Sequence, residues 1–378
     1  IIDMDFTFNE EQTSIQDQVD QFIQKEYDWE TRQSLSNSEL GFGDNNWQKF
    51  AELGWLGIST SEDSGGFGGS AIESMLIMEA FGKGLVVEPF LETIIMSGGL
   101  IDEHGSDLQK SSILEPAIAG ELHLALAYAE PQSRFNLSDV VTEAKIDGDN
   151  YILNGYKSVV MNGPSANKII VSARTSGSQL DEGGITLFII DANSEGLNKT
   201  NYKTVDGRRA SDLTFENISV SKDDIIGHVD EGFGLLDSSI DRAILAISAE
   251  AVGAMEVLYK TTVEYTKTRE QFGTSIGKFQ VLQHRMVDMF MEYEQCKSLL
   301  YMATMKHEEG SSDAKKAISG LKYQVGKAGK FIGQQAVQLH GGMGVTDELN
   351  VGHYFKRLTT VGTIFGNTDF HLKRYTSL

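Results

Sequence analysis

The chain has 378 residues, 40% of them hydrophobic and only four of them proline, and a formal net charge of −22. That length exceeds one ordinary domain and supplies a sizeable interior, while no apolar run approaches the roughly 20 residues that a membrane span needs. The charge argues against nucleic acid and anionic membranes as partners, and it leaves any anionic ligand to be drawn in by local cations and helix N-termini. Ile1, Ile2 and Asp3 are not followed by a signal-peptide pattern, so a cytoplasmic location is expected.

Three rhythms follow one another along the chain. Residues 1–121 carry helical periodicity, as at Ile72, Met75, Leu76 and Ala80, interrupted by the glycine-rich stretch from Asp63 to Ser70. No strand rich in β-branched residues precedes that stretch. It therefore reads as a loop capping the helix that starts near Ser70, with a phosphate cradle as the alternative. Residues 122–227 show short alternating or β-branched segments at 151–153, 158–160, 168–172, 185–190 and 212–215. Asp147-Gly148-Asp149 and Asn154-Gly155 are expected to form hairpin turns between them. In residues 228–378, apolar positions recur at helical spacing through 236–258, 279–300 and 318–339, which predicts a helical bundle. The single cysteine, Cys296, falls on one of these stripes and reads as a buried thiol. The resulting fold class is mostly α with a central β domain.

Two segments carry the chemistry. One runs from Tyr265 through Arg269, Gln271, Phe272 and Phe279 to Gln280; the other is Gln338-Leu339-His340-Gly341-Gly342-Met343-Gly344. Together they resemble the paired signatures of the acyl-CoA dehydrogenase family, and the resemblance covers nearly the whole chain. Ala127-Tyr128-Ala129-Glu130-Pro131 resembles the family's T-E-P segment. Asn154-Gly155-Tyr156-Lys157 and Asn162-Gly163 resemble its N-G-x-K and N-G turns, and the stretch from Glu62 to Gly68 its acidic, glycine-rich loop. The resemblance implies an N-terminal helical domain, a β domain and a C-terminal four-helix bundle. It also implies FAD as cofactor, acyl-CoA as substrate and an electron-transfer flavoprotein as acceptor.

In such enzymes a carboxylate takes the α-proton of the acyl thioester while hydride leaves for the flavin, so the base needs a water-poor pocket opposite the flavin. The resemblance places that base either at Gly366, in Phe365-Gly366-Asn367-Thr368 where the family has Y-E-G-T, or at Ala243 in the first helix of the bundle. Neither residue can move a proton. Glu250 lies on the same helix as Ala243, nearly on the same face but roughly 10 Å further along the axis. It is the candidate substitute base, and a carboxylate paired with a neighbouring cation is the other reading. Asp241 resembles a substrate contact near the pantetheine, with a solvated helix residue as the alternative.

The cofactor positions divide in the same way. Where the resemblance implies flavin-ring and phosphate contacts made within one subunit, the chain has Ala129, Phe135, Val159 and Met161, none of which supplies the family's polar or stacking partner. Where it implies contacts to FAD, the chain keeps Arg269, Gln271, Phe272, Phe279, Gln280, Gln338, Gly341, Gly342 and Thr368. All of these but Thr368 resemble residues that reach across from a neighbouring subunit. Arginine suits a diphosphate and glycines allow close backbone approach. The stretch 365–374 resembles the smaller subunits of paired acyl-CoA dehydrogenases, which act on steroid side chains or dicarboxylic acyl-CoAs; His371 within it reads as packing or capping a chain end. Three readings stand: one subunit of a heteromeric enzyme, a homo-oligomer using Glu250, or a non-catalytic acyl-CoA-binding relative.

Overall fold

A computed structural model describes residues 8–378. The chain forms two compact units: residues up to Ser34 with Ala71–Val86 and Ile244–Leu378, and Leu35–Ser70 with Val87–Ala243.

The first unit is helical. Its principal helices are α1 (Glu10–Glu26), α2 (Ala71–Gly84), α3 (Gly232–Thr268, which enters this unit at Ile244), α4 (Gln280–Glu308), α5 (Ala314–His340), α6 (Val351–Val361) and α7 (Thr368–Ser377). Helix α1 starts at a capping box in which Asn9 and Gln12 exchange side-chain and backbone hydrogen bonds. The expected apolar stripes of α3 and α5 are buried throughout. That of α4 is buried at Met289, Tyr293, Cys296 and Leu300 and half-buried at Phe279, Leu282 and Met286; Phe290, and off the stripe Val281, Val287 and Met291, are exposed.

Helices α2 and α3 meet at two glycines. A Cβ on Gly82 would stand 1.8 Å from the Glu250 carbonyl oxygen, and one on Gly253 would stand 1.9 Å from that of Glu79. The two sequences, Glu79-x-x-Gly82 and Glu250-x-x-Gly253, thus interlock reciprocally. Only a residue without a side chain permits that backbone contact.

The second unit centres on a sheet. Its strands are β1 (Leu124–Ala127), β2 (Glu143–Asp147), β3 (Asn150–Met161), β4 (Lys168–Arg174), β5 (Ile185–Asp191), β6 (Leu197–Lys203), β7 (Arg209–Ser221) and β8 (Ile225–Ile226). They run in the order β6-β7-β3-β2-β4-β5-β8, with β1 pairing parallel to β4. Alternating residues of β3, β4, β5 and β7, among them Leu153, Val171, Phe188 and Phe215, build its core.

The Gly148-Asp149 hairpin is present, since Asp147 pairs with Asn150. The expected turn at Asn154-Gly155 is not. β3 continues through it, and the register against β7 shifts between Leu153 and Gly155 and again between Lys157 and Val160. Two β-bulges thus replace a turn, because glycine permits the irregular backbone that either would need (Gly155 φ 151°). In the second bulge Val159 has φ 52°, and its N–H donates to Asp212 Oδ1 at 2.9 Å.

The glycine-rich loop consumes its own backbone donors. Gly66 N–H bonds to Ser61 O, Phe67 N–H to Gly57 O, Gly68 N–H to Thr60 O and Gly69 N–H to Ile58 O. A Cβ on Gly66 would lie 2.3 Å from Thr60 O. The glycines therefore serve close packing within the loop, and these N–H groups are not available to a phosphate.

Gly82→Ala and Gly253→Ala are each expected to lower unfolding free energy by at least ~2 kcal/mol, measured by chemical denaturation, because the helices must separate to admit a methyl group.

Candidate functional site

The hairpin that follows α3 is the first part of the site. Glu270–Gln271 (β9) pairs antiparallel with Thr274–Ser275 (β10) around Phe272-Gly273. Both turn residues have positive φ, 54° and 79°, as a two-residue hairpin turn of this kind requires. Phe272 stands at the tip with 93% of its surface exposed. A large aromatic side chain in left-handed backbone and in water is costly on both counts. Phe279 approaches it edge-on, with ring centroids 6.2 Å apart.

The end of α5 lies beside this hairpin. One turn before Arg269, Tyr265 stacks on His340 with centroids 4.3 Å apart, and its hydroxyl donates to His340 O at 3.5 Å. His340 is fixed in turn by Nδ1–H donation to Ala336 O at 2.8 Å. The Tyr265–His340 contact joins the helix end that precedes Arg269 and its hairpin to the helix end that carries Gln338, Gly341 and Gly342. The Arg269 and Gln338 side chains are exposed and bond to no described residue. Nothing stands within 4 Å of a Cβ built on Gly341 or Gly342, so their backbone can be closely approached. An unpaired guanidinium, an exposed aromatic ring, an amide and open glycines make a donor set suited to a nucleotide diphosphate. Thr368 is not part of this group. It begins α7 and packs on Gly326, about 18 Å up α5 from Gln338.

The positions expected to hold a flavin ring fall in the other unit, and they offer little to hold it. Ala129 O accepts the Ser158 N–H at 2.9 Å. Val159 is exposed on its bulge, Phe135 is half-buried, and Met161 lines a small cavity with Glu92, Asn162 and Arg208. Beneath them, Lys157 Nζ donates to Glu130 Oε1 at 2.7 Å and to Ser172 Oγ at 3.0 Å, and the same carboxylate accepts the Val141 and Thr142 N–H groups. Burial pushes the Lys157 pKa down to about 8, partly opposed by the Glu130 charge. Glu130 and Lys157 thus pair the A-E-P and N-G-x-K segments with each other. The sequence motifs mark a buried structural ion pair.

The carboxylate positions separate clearly. Ala243 is fully buried, and Gly366 is buried. Asp241 is 3% exposed, which excludes the solvated-helix reading. Glu250 is 1% exposed, and Arg357 holds both of its oxygens, Nε to Oε1 and Nη2 to Oε2, each at 2.7 Å. This is the paired-carboxylate alternative, since bidentate contact with a guanidinium favours the charged form and occupies the oxygens a base would use. Sequence periodicity marks Glu250 as buried but cannot reveal a partner 107 residues away.

One further buried residue was not singled out in the sequence, and one that was, Cys296, is buried as expected. Lys322 is 1% exposed and donates to Val361 O at 2.7 Å and to Gly366 O at 2.9 Å. Its place in the apolar face of α5 can be read from the sequence, but the carbonyl partners cannot. Cys296 is buried and its thiol pKa is pushed up by burial, so it is an inert core residue. No helix among the described residues is long and apolar enough to cross a membrane.

Comparison with known proteins agrees with this architecture. The acyl-CoA dehydrogenase N-terminal, middle and C-terminal domains match residues 9–121, 125–218 and 230–376. A 3-(aryl)acrylate reductase of Clostridium sporogenes is 30% identical over 85% of this chain and 86% of its own. The chain belongs to the acyl-CoA dehydrogenase family. Its members are FAD-dependent oxidoreductases, and the fold is theirs throughout. Among solved structures, the FAD complex of PigA matches with a TM-score of 0.92 and 27% identity, covering 99% of this chain and 98% of that one. The Tcur3481–Tcur3483 steroid ACAD matches with a TM-score of 0.87 and 26% identity over 97% of each chain.

Two outcomes check this description. Glu250→Gln is expected to cost about 3 kcal/mol of stability in denaturant titrations, because it strands the buried Arg357 charge. Burial also lowers the Lys322 pKa from 10.5 to about 7. The unfolded chain therefore binds more protons between those values, and stability rises with pH across that window by up to ~1.4 kcal/mol per pH unit. Below the folded value the contribution stays constant. The stability of the native protein relative to Lys322→Met should accordingly increase from pH 7 to pH 10.

Proposed function

We propose that this chain is one subunit of a heteromeric acyl-CoA dehydrogenase. It lends the diphosphate-binding half of an FAD site to a related partner chain, and that partner supplies the polar flavin contacts and the catalytic carboxylate. The observation that carries this reading is the split between the two sets of positions. Arg269, Gln338 and the exposed Phe272 are presented together and unsatisfied, whereas Ala129, Phe135, Val159 and Met161 offer no equivalent support to a flavin ring.

When bound, FAD would supply the hydride acceptor for α,β-oxidation of an acyl-CoA thioester. Arg269 would pair with its diphosphate, Gln338 and Gln271 would offer amide hydrogen bonds, and Gly341 and Gly342 would admit the nucleotide to the backbone. The exposed apolar residues Val281, Val287, Phe290 and Met291 on α4 fit a surface that another subunit covers. Asp241, buried at the start of α3, remains the substrate-side contact in this proposal, and an electron-transfer flavoprotein is the proposed acceptor. The match to the two-chain Tcur3481–Tcur3483 steroid ACAD supports the pairing. Glu250 is assigned no part in proton transfer, because Arg357 holds it.

The test is to purify this chain together with a family member that carries the glutamate and to titrate the pair with FAD. Arg269→Ala in this chain is expected to weaken FAD retention by the pair at least about tenfold, the loss of one charge-assisted contact. Unchanged retention would contradict the shared site.

A further inference from the structure

The corner that carries Gly366 is packed. Phe365 and Gly366 both have positive φ, 59° and 115°, and Asn367 then caps α7 by accepting the Phe370 N–H at 2.9 Å. Lys322 fastens the corner from α5 through the Val361 and Gly366 carbonyls. His371, wholly buried, fastens it from α7: its Nε2–H donates to Phe365 O at 2.9 Å. That bond fixes the tautomer and leaves Nδ1 as a buried acceptor with no hydrogen-bond partner. A Cβ built on Gly366 would lie 2.6 Å from His371 Nε2, 2.9 Å from His371 Cδ2 and 2.5 Å from Phe370 Cδ1. Real Cβ atoms do not approach so closely, and an L side chain at φ 115° is strained in any case.

We infer that His371 fills the space into which a side chain at position 366 would project, so that the family's base position in this chain is closed. The absence of a side chain at position 366 and the burial of His371 are then one feature of the packing. A proton acceptor cannot be restored by exchanging the one residue. The inference rests on the proposed reading only in calling position 366 the base position; the packing claim stands apart from it. Burial and the neighbouring Lys322 charge also lower the His371 pKa, to about 4, which keeps the ring neutral and its bond to Phe365 O intact across the physiological range. His371 is accordingly a packing residue.

The experiment is a double-mutant cycle on the full chain, read as thermal midpoints. Gly366→Ala is expected to lower the midpoint by about 5 °C or more. In a His371→Ala background the same change should lower it by less than half as much, since one of the two obstructing side chains is gone. His371→Leu replaces that background if His371→Ala does not fold, with the same expectation of a reduced loss. Equal losses in both backgrounds, or an unchanged midpoint for Gly366→Ala, would overturn the inference.

A second readout is functional. Gly366→Glu alone is expected to leave the rate of α-hydrogen exchange of octanoyl-CoA in deuterated buffer within about twofold of the native chain. A tenfold gain would show an open base position and overturn the closure. The midpoints do not depend on a partner, so failure of the subunit proposal would leave them interpretable.

Discussion

The crossing of α2 and α3 at Gly82 and Gly253 is the constraint on which the rest depends. Backbone contact there leaves no room for any side chain, so both helices are fixed along and around their axes. Each glycine lies one turn after a glutamate, and the crossing buries both. Glu79 finds Lys297 at 3.5 Å, with burial raising its pKa, and Glu250 finds Arg357. An acidic residue buried by such a contact requires a cation. The pairings tie α4 and α6 to the crossed helices, and Glu250 is therefore a structural residue.

The consequence runs along α3. Once the helix is fixed near Gly253, its C-terminal end is fixed too, and the Tyr265–His340 stack passes that order to the end of α5. The hairpin with Arg269 and Phe272 and the turn with Gly341 and Gly342 are thus displayed by rigid elements. Arg269 and Gln338 bond to no described residue and Phe272 is exposed, which suits the covered surface of the proposed function. In the other unit, the buried Lys157–Glu130 pair joins the A-E-P and N-G-x-K segments.

Much of this was legible in the sequence. The stripes of α3 and α5 predicted their helices and buried faces because burial of one face sets the period. The Gly148-Asp149 turn was readable because few residues accept its backbone. Asn154-Gly155 was misread as a turn because the same residues also suit a bulge, and only pairing with β7 distinguishes the two. The residues proposed to meet a nucleotide stood out by their spacing, and Thr368, which was set apart from them in the sequence, lies apart from them in the fold as well. Local patterns could not reveal contacts between distant residues. The Glu250–Arg357 pair, the Lys322 bonds to two carbonyls and the occupation of the Gly366 corner by His371 all depend on how remote helices pack.

In the proposed function this chain holds only part of a flavin site. The most direct measurement is the visible spectrum and FAD stoichiometry of the protein purified alone, after excess FAD has been added and removed by gel filtration. A divided site gives a nearly colourless protein with little FAD. One tightly held FAD per chain, with the absorbance of a bound flavin, would contradict it.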